Sequence, residues 1–408
     1  MNILYLSTVF PAEQEGATIY TDLAEALHEA GHQMTVTAAG NTADGVTRIG
    51  TERNLSVLRV RTAPYYNVNF IRKGMAAYLL PRQMIRGIRK YIGKQAFDLI
   101  LFESPPVTLS KTAAWAMKYF KCPSFLMLKD IFPQNGADLG LYRPNGVLYR
   151  IFRSQEKKLY KCASYIGCMS EANRQYLLKH NPQLPSDKLS IFPNTKKLRP
   201  LAPRSEEFPL RQKYGIPDDA VVFLFGGNLG KPQALDFLTE TMISLKEEKK
   251  IFFVLVGRGS EKNSAKMRLE RGGCKNYVML ENLHREEYEA FVRECDVGLI
   301  LLDCRFTIPN YPSRILSYME FGMPVLAATD RVTDIGDMIR QSGCGAAVYS
   351  EDAATFAAQI KRMACDGKLR RKMGLAGRIY AEKHFDVAVS VEKITEFLEE
   401  NRKSSQIE

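Results

Sequence analysis

The sequence predicts an α/β protein made of two consecutive doubly wound parallel sheets. Three observations carry that expectation. Short apolar runs alternate with helically spaced patterns along the whole chain, as parallel strands joined by helical crossovers require. The alternation breaks once, at 196–217, where Pro200, Pro203, Pro209 and Pro217 and mixed charge replace any periodicity and mark a linker. And 408 residues, at about 150 per domain, leave room for two or three domains. With 45% apolar and 25% charged residues the composition is that of a globular chain, which excludes disorder and collagen-like repeats. No apolar run approaches the roughly 18 residues of a membrane span. The first ten residues lack a basic region and read as a strand, not as a signal peptide. Eight cysteines without a CxxC pair read as free thiols in a reducing cytosol.

The elements follow in order. Residues 2–7 form an apolar strand, and 9–18 form a loop containing Pro11 and Gly16. Ile19, Leu23, Ala26 and Leu27 recur at helical spacing until Gly31, and 34–37 is the next strand, which completes a βαβ unit. The unit recurs with a strand at 98–102, a helix at 109–120 and a strand at 124–128. A strand at 165–169 leads into Ser170, an N-cap for a helix over 171–179. After the linker come a strand at 221–225, a helix at 234–245 and strands at 251–256, 277–280, 297–302 and 325–328. Two such sheets joined by a linker are expected to face across a cleft, with ligands at the carboxyl ends of the strands.

Charge is unevenly spread. Residues 1–200 hold 27 Lys and Arg against 14 Asp and Glu, while 201–408 are nearly balanced, so the net +12 lies in the first half. Such a half fits an anionic partner. The segment 69–94 interleaves seven basic residues, among them Arg72, Arg82, Arg86 and Arg89, with apolar ones and contains no acid. It reads either as a membrane-surface helix or as a helix packing its apolar face on its own domain. Nucleic-acid binding is disfavoured, because no recognition signature accompanies the charge.

Several motifs carry chemistry, each with a plainer alternative. The loop from Ser7 to Gly16 brings a glycine before a helix, which suits a phosphate or simply a turn. It is not GxGxxG, so a nicotinamide dinucleotide is disfavoured. His28-Glu29-Ala30-Gly31-His32 matches H-E-x-x-H, but Gly31 ends the helix and puts His32 off the face of His28, so no metal is expected. Here the plainer reading is a surface His28 and a His32 in a turn. Gly226-Gly227-Asn228-Leu229-Gly230-Lys231, between a buried strand and a helix, suits a diphosphate through its backbone N–H groups and Lys231. In Pro312-Ser313-Arg314, Ser313 is a natural cap, and an arginine in a first turn opposes the helix dipole unless an anion lies beside it. Asp130, just past a buried strand, either orients and deprotonates an acceptor hydroxyl or caps a helix.

In order and spacing these pieces resemble the bacterial glycosyltransferases of family 4. The resemblance rests on Ile3-Leu4-Tyr5-Leu6-Ser7, Gly31-His32, Asp130-Ile131-Phe132-Pro133 and Phe192-Pro193-Asn194 in the first half. In the second it rests on the Gly226 to Gly230 turn, Leu255-Val256-Gly257-Arg258-Gly259, Cys295-Asp296-Val297-Gly298-Leu299 and Pro312-Ser313-Arg314 through Gly322 and Pro324. It implies the GT-B fold, two Rossmann-like domains, and transfer of a sugar with retention from a nucleotide-sugar donor, usually UDP-linked. It implies donor binding by Gly16, Gly227, Asn228, Lys231, Arg258, Ser313, Arg314, Ser317 and Glu320, with Asp130 catalytic and no metal or other cofactor. The domains implied are 1–200 on the acceptor side, 201–384 on the donor side, and a helix over 385–408 that crosses back.

The chain departs from the family at the paired acids, where Pro309 and Ser317 stand and Glu320 lies one turn on, and at the usual basic positions, which are Asn228 and Gln233. The reading is a glycosyltransferase of surface-glycan synthesis, cytoplasmic and peripheral to the inner membrane, whose acceptor is a glycan or lipid-linked sugar. A nucleotide-sugar 2-epimerase of the same layout and a non-catalytic nucleotide-sugar-binding scaffold are the alternatives.

Overall fold

A computed structural model describes every residue except 41–44, 65–69, 202–209, 282, 284 and 408, so the start of the basic segment at Asn69 and the middle of the linker lie outside the described residues. The chain divides into two units, one of Met1–Lys197 with Asp386–Glu408, the other of Leu198–Phe385.

The first unit has eight strands, β1 (Asn2–Ser7), β2 (Gln33–Gly40), β3 (Arg48–Glu52), β4 (Leu55–Arg61), β5 (Leu99–Ser104), β6 (Ser124–Leu128), β7 (Tyr165–Cys168) and β8 (Leu189–Ile191), in the order β3-β4-β2-β1-β5-β6-β7-β8. All neighbours are parallel except β3 and β4. That hairpin escapes the sequence pattern because β3 is polar and mostly exposed. Its turn uses no glycine, since Arg53 and Asn54 both take positive φ, 52° and 60°. One face of the sheet packs Tyr5, Phe125, Met127 and Phe192 against Leu23 and Leu27 of the helix Ile19–Glu29. Ile394, Phe397 and Leu398 join the same core, so the C-terminal helix Val387–Ile407 completes the unit in which the chain began.

The second unit has six parallel strands, β9 (Val221–Gly226), β10 (Ile251–Val256), β11 (Tyr277–Leu280), β12 (Val297–Leu301), β13 (Val325–Thr329) and β14 (Gly345–Tyr349), ordered β11-β10-β9-β12-β13-β14. Phe223, Phe225, Phe253, Leu255, Leu299 and Phe356 centre its core. β14 goes unread in the sequence because Gly-Ala-Ala-Val-Tyr is small and only half-buried, with no apolar run to mark it.

In each sheet the strand order reverses beside the first strand, between β1 and β5 and between β9 and β12. Crossover helices leave in opposite directions there, which opens a crevice at the strands' carboxyl ends. At the first reversal stands Glu103, only 1% exposed at the end of β5. Its Oε1 accepts from the Ser7 hydroxyl at 2.9 Å and the Thr8 N–H at 2.8 Å. Oε2 and the adjacent Tyr5 hydroxyl have no well-formed partner among the described residues. Burial pushes the Glu103 carboxyl from its ordinary 4.5 up to about 7.

The sign of the pH effect follows. Between pH 4.5 and 7 the fold keeps a proton that the unfolded chain has released, so Glu103 costs stability as pH rises, by up to about 3 kcal/mol. Glu103→Gln keeps an oxygen for Ser7 and Thr8 and carries no charge. Denaturant melts of the variant should therefore lose less stability than wild type between pH 4.5 and 7, and parallel curves would reject this account.

Candidate functional site

In the second unit the turn after β9 is laced to the turn after β10. Gly227, with φ 124°, donates its N–H to the Val256 carbonyl at 2.8 Å, and Leu229 donates to the Arg258 carbonyl at 2.8 Å. Side chains have no room between them: a Cβ on Gly257 would stand 1.8 Å from the Gly227 oxygen, and one on Gly259 would stand 2.2 Å from the Leu229 carbonyl. The Gly226 N–H reaches the Tyr318 hydroxyl at 3.3 Å. Three N–H groups of this turn are thus engaged inside the protein, which corrects the expectation of a turn lined with free donors. What the turn offers instead is an exposed surface of Gly227, Asn228 and Lys231 above a half-buried cation.

That cation is Arg314. Its guanidinium lies 4.3 Å from the Phe225 ring centre, and Nη2 donates to Gln233 Oε1 at 2.7 Å. The Gly227 backbone lies over it, since a Cβ there would be 3.4 Å from Cζ. Nη1 is sealed from solvent without an acceptor among the described residues. Burial lowers the guanidinium's proton affinity, against the pull of the Tyr318 and Tyr288 hydroxyls. A buried donor left unpaired costs about 1–3 kcal/mol, and Nη1 is the nitrogen of this guanidinium that is free to take an acceptor.

The other donor-side candidates fall in different places. Ser313 stands at the N-cap of the short helix Arg314–Glu320, is exposed and makes no capping hydrogen bond, so the cap expected of it is not formed. Ser317 lies one turn past Arg314 and is partly buried. Arg258 is 72% exposed and faces Glu281 at 3.5 Å. Glu320 requires a correction: it is fully buried, accepts from the Arg199 N–H at 3.1 Å, and ion-pairs with the guanidinium of Arg199, a residue that also pairs with Glu289. It anchors the end of the linker, and a ribose has no access to it. Gly16 is corrected on similar grounds. It lies in the first unit with φ 99°, its N–H donates to the Glu13 carbonyl, and its own carbonyl accepts from Arg53. The helix behind it is already capped by the Thr18 hydroxyl, which takes the N–H groups of Tyr20 and Thr21.

In the first unit Asp130 follows β6 near the β1–β5 reversal. Its Oδ2 accepts from Asn135 Nδ2 at 2.6 Å, and burial raises its carboxyl to about 6. It does not cap the next helix, whose N-cap is Pro133. The loop around it is clamped from outside: Tyr142 donates to the Pro133 carbonyl at 2.6 Å and Tyr149 to Gln134 Oε1 at 2.7 Å. Lys129 Nζ donates to the Pro193 carbonyl at 3.5 Å and lies 5.1 Å from the Phe192 ring centre, and burial pulls its ammonium down to about 7, against the charge of Glu103. Sequence reasoning missed Glu103 and the part played by Lys129. The signal was there in a lone acid closing an apolar strand directly before Ser104-Pro105-Pro106.

His28 and His32 do not form a metal pair. His28 Nδ1 meets the His32 carbonyl at 3.3 Å, and His32 is buried, not exposed in a turn, with Nε2 3.2 Å from Thr395 of the C-terminal helix. Among the described residues no group of three His, Cys, Asp or Glu is placed to hold a metal. The basic segment forms the helix Phe70–Tyr91, which buries Ala76, Leu80, Met84 and Ile88 and exposes Arg72, Lys73, Arg82, Arg86, Arg89 and Lys90 with Met75 and Tyr78. Its apolar stripe is therefore core, and its outer face is cationic. No helix among the described residues is long and apolar enough to cross a membrane.

Residues 15–195 match the family Glycosyl transferase 4-like domain, and residues 206–380 match Glycosyl transferases group 1. The chain is 23% identical over 302 residues to WbjE of Pseudomonas aeruginosa, named a probable glycosyltransferase, covering 72% of this chain and 73% of that one. Among solved structures it is similar to sucrose-phosphate synthase of Thermosynechococcus elongatus, with TM-score 0.76, 14% identity and 99% of each chain covered. It is also similar to HepE of Anabaena, solved in complex with UDP and glucose, with TM-score 0.72, 18% identity, and 98% and 100% covered. With a family match in each unit and a doubly wound parallel-dominated sheet in each, the chain belongs to the family-4-like glycosyltransferases of the GT-B fold.

Proposed function

We propose that this enzyme transfers a sugar, with retention at the anomeric carbon, from a UDP-linked donor to a glycan or lipid-linked sugar in bacterial surface-glycan synthesis. The observation that carries the reading is Arg314, a desolvated guanidinium with an unpaired donor beside an exposed glycine turn. As the glycosidic bond to the donor breaks, negative charge grows on the departing diphosphate. A cation fixed in a poorly solvated pocket stabilises that charge without reorganising. Lys231 adds a second, mobile cation at the rim, so the chain itself supplies the charge a divalent ion would otherwise bring. The UDP complex of HepE and the glycosyltransferase naming of WbjE support a nucleotide-sugar donor.

The first unit supplies the acceptor chemistry. Retention requires the acceptor hydroxyl to approach on the leaving group's face, so the hydroxyl must be held and relieved of its proton there. Asp130 suits this because burial raises its carboxyl to about 6, close to neutral operating conditions. The cationic face of the helix Phe70–Tyr91 suits the anionic cytoplasmic surface of the inner membrane, which would bring a lipid-linked acceptor to this unit.

Four measurements test the proposal. Arg314→Ala should weaken UDP binding by calorimetry by ~1.5–3 kcal/mol while uridine binding changes little; equal losses for both would remove the diphosphate from this site. Asp130→Asn should lower turnover by about 10²–10⁴-fold with UDP affinity intact. Wild-type turnover should fall on the acid side near pH 6 as this carboxylate is protonated, and Asp130→Asn should abolish that limb. The same assays run in excess chelator should show full wild-type turnover, and loss that Mn²⁺ restores would contradict the metal-free reading. Vesicle binding should rise with anionic lipid, fall with salt, and drop on charge reversal of Arg86 and Arg89 by about 1 kcal/mol per residue. Unchanged binding would leave that helix a purely structural element.

A further inference from the structure

We propose that Gln233 is a positioning residue for the donor's diphosphate, holding the Arg314 guanidinium through a neutral oxygen so that its full charge remains for the ligand. The inference rests on the diphosphate reading above and adds a residue to it. Gln233 Oε1 accepts from Arg314 Nη2 at 2.7 Å and is the one side-chain hydrogen-bond partner of Arg314 among the described residues. The Phe225 ring and the Gly227 backbone also lie against the guanidinium, contacts that fix its distance but do not set its rotation in its own plane. One directional bond is what sets the orientation of the remaining N–H groups.

The backbone around Gln233 is built to aim it. It closes the short 3-10 turn Lys231–Gln233, with its own N–H on the Gly230 carbonyl at 3.0 Å. Pro232 before it accepts from the Asp303 N–H at 3.1 Å, which ties the turn to the end of β12. Ala234 after it takes the left-handed conformation, φ 42° and ψ 44°, which a residue with a Cβ adopts only when its surroundings impose it. The chain reverses there before the helix Leu235–Ser244, and Gln233, only 9% exposed, is left facing Arg314.

Neutrality matters as much as geometry. A carboxylate at 233 would accept from the guanidinium in fork fashion and cancel its charge. An ammonium would repel the guanidinium and leave Nη2 unpaired as well. An amide oxygen satisfies one nitrogen and cancels nothing, so the unpaired Nη1 and the net charge are both kept for an incoming diphosphate.

The test compares wild type, Arg314→Ala, Gln233→Glu and Gln233→Leu by calorimetry with UDP and with uridine, alongside melting temperatures. Gln233→Glu should bind UDP at least about tenfold more weakly with uridine within about twofold, and Gln233→Leu should lose less. The deficit of Gln233→Glu relative to wild type at the same pH should shrink as pH falls and the introduced carboxyl becomes neutral, because the protonated acid is a near copy of the amide. If Arg314→Ala weakens UDP while both Gln233 variants bind it as wild type does, the positioning role is overturned and the diphosphate site stands. Equal losses of UDP and uridine in Gln233→Glu, or a deficit that pH does not move, would mean a merely structural contact and also overturn it. Unchanged UDP binding in Arg314→Ala overturns both readings at once.

Discussion

The second unit depends on a contact between two backbones. The turns after β9 and β10 lie so close that no side chain fits between them, with Gly257 against the Gly227 carbonyl and Gly259 against that of Leu229. This closeness lets two hydrogen bonds lace the turns together, and it draws the N–H groups of Gly227 and Leu229 away from any ligand. A turn that has used its donors internally is a rigid floor. The work of attracting an anion then passes to the side chain beneath it, and Arg314 is held there by Phe225 below and Gln233 at its edge. The glycines fix where the cation can be, and the cation's surroundings fix how it is oriented.

Both units place desolvated charge at the reversal of their sheet. In the second it is a guanidinium with an unpaired nitrogen. In the first it is Glu103, Lys129 and Asp130, three ionisable groups on adjacent strand ends whose proton affinities burial moves toward neutrality. Such groups cost stability, and the rest of each sheet is nearly uninterrupted apolar packing that can carry the cost. Their roles differ in reach. Asp130 lies on a loop clamped by Tyr142 and Tyr149, whereas Glu103 lies inside and acts on what surrounds it, bracing Ser7 and Thr8 and offering Lys129 a counter-charge.

The positive charge of the first half also has a structural meaning. The helix Phe70–Tyr91 buries a narrow apolar stripe and turns its arginines and lysines outward, so one element serves core and surface at once. Packing of the apolar stripe in the core leaves the basic face exposed to solvent. A helix has two faces, and a basic amphipathic pattern is consistent with both uses.

The sequence by itself determined the two parallel sheets, because fully buried strands such as Ile251–Val256 and Phe125 to Leu128 must be written in apolar runs and their crossovers in helical spacing. It also determined that Gly227, Lys231 and Asp130 lie in turns that follow strands and that Arg314 opens a helix. Tertiary structure alone decided which of these groups are free to act. Glu320 reads as a helix acid one turn beyond the expected position, yet it is turned inward to Arg199, a partner more than a hundred residues away. Gly16 reads as a phosphate turn, yet its carbonyl is taken by Arg53 from a hairpin whose turn carries no glycine to announce it. Gln233 reads as a neutral residue at a usually basic position, and only its 2.7 Å bond to Arg314 makes it a partner. Local pattern records what a segment must do to fold, whereas the availability of a charge depends on what distant segments bring against it.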